Sequence, residues 1–67
     1  MNTFSDVNQV RLMLKMRYSQ YSWYSSSRVM PDGDSYSIVI SVYKLDNQVR
    51  KVVPPVVNGI SIRCELQ

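Results

Sequence analysis

The sequence predicts an α+β two-layer sandwich: one N-terminal helix laid across a three- or four-stranded, mainly antiparallel sheet. Two observations carry this. Apolar residues recur at spacings of three and four over residues 7–21, then alternate with period two over most of residues 35–66. Turn signals punctuate the second half at Pro31-Asp32-Gly33-Asp34, Asp46-Asn47 and Asn58-Gly59. A helical pattern followed by a run of strand patterns segregates the two layers along the chain, which is the α+β arrangement.

The 67 residues make one domain, spanning 1–67, and at that size only roughly 60% of the unfolded surface is buried on folding. A hydrophobic content of 45% against 19% charged residues places the chain among folded rather than disordered sequences.

The helix opens at Thr3-Phe4-Ser5-Asp6, where Thr3 or Ser5 can accept a bond from a first-turn N–H and Asp6 sits at the positive end of the helix dipole. Val7, Val10, Leu14, Tyr18 and Tyr21 then line one face, the expected core side, with Arg11 and Arg17 flanking it. Leu12, Met16 and, if the helix runs that far, Trp23 form a second apolar stripe on the other side. A chain this short has little protein left to cover both stripes.

Residues 18–27, YSQYSWYSSS, hold four large aromatics among five serines. Serine side chains bond locally to the backbone in competition with helical bonds, so the helix is expected to fail in 19–27 and a strand to begin at Ser22 or Trp23 and run to Met30.

Proline at the first central position and glycine after it make PDGD a turn and the flanking segments a hairpin. Ser35–Leu45 is the expected central strand, with Tyr36, Ile38, Ile40 and Val42 on its apolar face and Ser35, Ser37, Val39 and Ser41 on a mostly polar one. After Asp46-Asn47, Val49, Lys51 and Val53 alternate in a shorter third strand that Pro54-Pro55 ends. Arg50 and Lys51 there would discourage edge-to-edge pairing. In the last strand Ile60, Ile62, Cys64 and Leu66 face inward, and Ser61, Arg63 and Glu65 outward.

The chemistry available is narrow. With no histidine and one cysteine the chain lacks the commonest general base and cannot assemble a usual zinc site alone. Asp32 and Asp34 in one turn read as a solvated hairpin tip whose aspartates bond their own backbone. Cys64 lies between Arg63 and Glu65, which point to the opposite face of the strand, so it reads as a small core residue. Gly33 and Gly59 stand in separate turns and form no phosphate loop. No catalytic, cofactor-binding or metal-binding residue is expected, and no small-molecule substrate is implied. A lone cysteine without a signal-peptide pattern points to a cytoplasmic setting, and no apolar run approaches the roughly 20 residues that cross a bilayer.

Charge is uneven. Arg11, Lys15, Arg17 and Arg28 against Asp6 leave residues 1–30 at +3, while the acids and bases of 31–67 cancel. The expected function is therefore binding. A non-catalytic module would contact a protein partner, or a second copy of itself as a homodimer, through Leu12, Met16, Arg17, Trp23 and Tyr24. Tyr, Trp and Arg are the types most enriched at the energetic centres of interfaces. The alternative is single-stranded nucleic acid, its bases stacked on Tyr21, Trp23 and Tyr24 and its phosphates met by Arg11, Lys15, Arg17 and Arg28. A very short, basic, non-catalytic chain is a format shared by small phage, mobile-element and regulatory proteins, a likeness that assigns no residue.

Overall fold

The computed structural model describes residues 3–67. The chain forms α1 (Phe4–Tyr18), β1 (Tyr24–Asp32), β2 (Ser35–Val42), α2 (Asn47–Val52), β3 (Val56–Val57) and β4 (Ile60–Leu66). The strands lie in the order β1-β2-β4-β3; β1–β2 and β3–β4 are antiparallel and β2–β4 is parallel. One N-terminal helix thus packs on a four-stranded, mostly antiparallel sheet, the α+β class expected.

α1 begins in a capping box. Thr3 Oγ1 accepts from the Asp6 N–H at 3.2 Å while the Asp6 carboxylate accepts from the Thr3 N–H at 3.4 Å, so two otherwise orphaned donors are satisfied reciprocally. The helix stops at Tyr18. Ser19 Oγ donates to the Met16 carbonyl and Gln20 Nε2 to that of Arg17, which satisfies last-turn acceptors with side chains instead of a further helical turn. Val7, Leu14 and Tyr18 are the residues this helix buries.

Gly33 and Asp34 form the two-residue tip of the β1–β2 hairpin, with Asp32 opposite Ser35. Gly33 has φ +61° and Asp34 does not share the positive region, the type II′ pattern that matches strand twist. At the β3–β4 tip Asn58 (φ 51°) and Gly59 (φ 77°) are both positive, the type I′ pattern for which Asn-Gly is favoured.

Residues 47–53 are not the expected third strand. Asn47–Val52 is α2, capped by the Asp46 carboxylate, which accepts from the Val49 N–H at 3.1 Å. Val49 and Val53, both buried, are four residues apart, a spacing that puts two side chains on one face of a helix and of a strand alike. The topology chooses between them: β2 and β4 run parallel, so the chain must return to the start of β4 by a crossover, and α2 lies in it. Arg50 and Lys51 accordingly stand in the last helical turn, beside its negative end, rather than on a sheet edge.

The core gathers Val7, Leu14 and Tyr18 from α1, Trp23, Ile38, Ile40 and Val42, Val49 and Val53, and Ile60 and Ile62. The sheet departs from the expected pattern at two places. Ser37, Val39 and Ser41, expected on an open polar face, are buried as well. Arg28 reaches back over that face, donating to Ser41 Oγ at 3.3 Å and pairing with Glu65 at 2.6 Å. Leu66, expected to face inward, is 63% exposed, because it ends β4 while α1 packs mainly over β1 and β2.

Candidate functional site

The outward side of α1 is the largest run of uncovered apolar surface on one element. Leu12 is 43%, Met13 42% and Met16 81% exposed, and they adjoin one another at spacings of one, three and four along the helix. With Gln9, Arg17 and Gln20 they line a shallow depression of about 650 Å³. Five of the six lining residues belong to α1, and Gln20 follows two residues past its end. The hollow is therefore the groove between side-chain ridges of the helix surface, and it has no facing wall to enclose a small molecule. Two methionines make it adaptable, since unbranched thioether chains repack against varied neighbours.

Leu12, Met16 and Arg17 stand where the sequence reading put them, exposed on this face. Trp23 does not. α1 ends at Tyr18, five residues before it, and the chain turns Trp23 inward to 3% exposure. There it stacks on Tyr21 at 4.9 Å and 16° between ring planes, with Tyr18 at 5.9 Å. Tyr24 is half-buried against the same cluster and its hydroxyl donates to Ser27 Oγ. The aromatic stretch closes one end of the core. Met13, overlooked in the sequence, lies on the face instead; its signal was the one-turn spacing to Gln9 and Arg17.

The basic residues are dispersed. Arg11 turns toward β1, donating from Nε to Asn8 at 2.8 Å and from Nη1 to the Ser27 carbonyl at 3.5 Å. Arg28 is held by Glu65 on the far side of the sheet. Lys15 and Arg17 are exposed and, among the described residues, in no ion pair. Tyr21, Trp23 and Tyr24 therefore present no bare ring face beside a row of free cations.

Perturbed ionisation lies away from this surface. Burial raises the Tyr18 phenol above its ordinary value, which Arg17 partly offsets, and its hydroxyl donates to the Val52 carbonyl at 3.3 Å, joining α1 to the end of α2. Burial likewise raises the Cys64 thiol, leaving little thiolate at neutral pH. Asp46 is lowered, chiefly by the Val49 N–H it accepts from. Among the described residues no three His, Cys, Asp or Glu side chains gather as a metal site, and no helix is long and apolar enough to cross a membrane. Comparison with known proteins finds no matching family model, no matching curated sequence and no matching solved structure.

Proposed function

We propose that this chain is a non-catalytic binding module that engages a helical segment of a protein through the outward face of α1. The observation that carries the reading is the contiguous exposure of Leu12, Met13 and Met16 beside Arg17, on a helix whose opposite side is already buried. Burying those three side chains removes apolar surface from water at about 25 cal/mol per Å², whereas isolated exposed apolar residues need no explanation. The nucleic-acid reading loses support from the burial of Trp23 and the engagement of Arg11 and Arg28.

The test is titration of the protein into a fluorescently labelled, 20-residue amphipathic Leu/Glu helix, with Met16→Asp and Trp23→Phe variants alongside. Saturable binding that Met16→Asp abolishes and Trp23→Phe spares supports the reading. Absence of binding up to about 100 μM protein, together with absence of self-association, removes it.

A further inference from the structure

Resting on that reading, we infer that the helix this face accepts is α1 of a second copy of the chain, packed antiparallel. The argument is one of charge and spacing. Asp6 and Arg17 are eleven positions apart, about three helical turns, so both lie on one flank of the Leu12-Met13-Met16 stripe and about 16 Å apart along it. Asn8 and Lys15 are seven apart, about two turns, and lie on the other flank. The two pairs share one midpoint, between Arg11 and Leu12.

A copy turned end for end about that midpoint sets each Arg17 beside the other chain's Asp6 and each Lys15 beside its Asn8. Leu12 and Met13 meet their counterparts at the centre, and each Met16 lands between Ser5 and Gln9 of the other helix. Like charges face each other nowhere in this register, whereas in a parallel two-fold pair opposite flanks meet, which sets each Arg17 beside the other chain's Lys15. Within one chain Asp6 is exposed and accepts only the Thr3 N–H of the capping box, and neither it nor Arg17 is in an ion pair among the described residues, so the Asp6 carboxylate has acceptor capacity left for the contact. An isologous contact of this kind closes at two copies. A face of one fifteen-residue helix is smaller than the roughly 800 Å² per partner of a standard interface, so the dimer is reversible rather than obligate.

Sedimentation equilibrium of the full chain from about 1 μM to 1 mM, in low and physiological salt, tests this. A monomer–dimer equilibrium is expected. Met16→Asp should raise its dissociation constant at least about thirtyfold and Arg17→Asp about tenfold, and Asp6→Lys combined with Arg17→Asp should restore most of the latter loss. Because Asp6→Lys also gives up the capping box, the register is measured independently by spin labels on Gln20→Cys in a Cys64→Ala background. The antiparallel register separates the labelled positions by about 25 Å along the axis, against about 10 Å across a parallel pair. A wild type that stays monomeric yet binds the Leu/Glu helix overturns the second-copy assignment and leaves the binding face; a monomer that binds neither removes both. A dimer that survives Met16→Asp, as pairing through the uncovered end of β4 would, overturns the assignment too.

Discussion

Tyr18 ties three parts of the molecule together at the residue scale. Its ring packs against the stacked pair of Tyr21 and Trp23, and its hydroxyl reaches the Val52 carbonyl at the end of α2, one of the acceptors a helix terminus leaves open. Tyr18→Phe is expected to destabilise by about 0.5–1.5 kcal/mol, read by urea unfolding. It should also flatten the alkaline end of the stability profile. A group whose pKa is raised on folding contributes stability that is present below its unfolded value, 10.0 for Tyr18, and lost as pH rises through the folded one; Cys64 acts in the same sense at somewhat lower pH. Trp23→Ala, by contrast, empties part of the core and should cost about 3–5 kcal/mol. Met16→Asp, at an 81% exposed position, should leave unfolding within about 0.5 kcal/mol of wild type.

Local chemistry decides where each element begins and ends. The type I′ tip at Asn58-Gly59 depends on backbone sign rather than on space, since a Cβ built at Gly59 meets nothing within 4 Å. Gly59→Ala should therefore cost about 1–2 kcal/mol through φ alone, measured as a drop in Tm. α2 depends on Asp46. Its carboxyl is lowered on folding, so its contribution is present above the unfolded value of 3.8 and fades as pH falls through the folded one. Asp46→Asn keeps a capping oxygen but removes the titration; its stability should fall less steeply than wild type in acid unfolding between about pH 5 and 2. The α1 N-cap and the Asn58-Gly59 tip were legible as residue types at fixed offsets, whereas the first tip was misplaced: Pro31 pairs with Tyr36 inside β1 and the turn is Gly33-Asp34. α2 was not legible, because its valines suit a period of two as well as a helix and valine favours strands.

For the molecule as a whole, the edges of the sheet matter as much as its core. On β1 the Ser27 carbonyl is taken by Arg11, and Pro31 has no N–H to offer, so that edge is blunted. β3 pairs only with Ile60 and Ser61, leaving Arg63–Leu66 without a strand on that side. A domain this small holds few kilocalories in reserve, so association through α1 should register in stability itself. Tm is expected to rise with protein concentration between about 10 μM and 1 mM, and Met16→Asp to remove that dependence without lowering Tm at the dilute end; calorimetry over a dilution series reads both.

The amino-acid sequence by itself determined the class, the helix with its buried and outward faces, and the Asn58-Gly59 tip. Each of these rests on interactions within a few residues: periodicity, caps, turn conformations and side-chain type. Only the tertiary structure decided that residues 47–52 are helical, that β4 runs parallel to β2, that Ser37, Val39 and Ser41 are buried, with Arg28 of the neighbouring strand bonded to Ser41, and that Trp23 belongs to the core. Trp23 shows the reason most directly. A helical wheel extended five residues past Tyr18 places it outward, but Ser19 and Gln20 end the helix with their own side chains, and from that point the direction of the chain is set by what lies beside it in space.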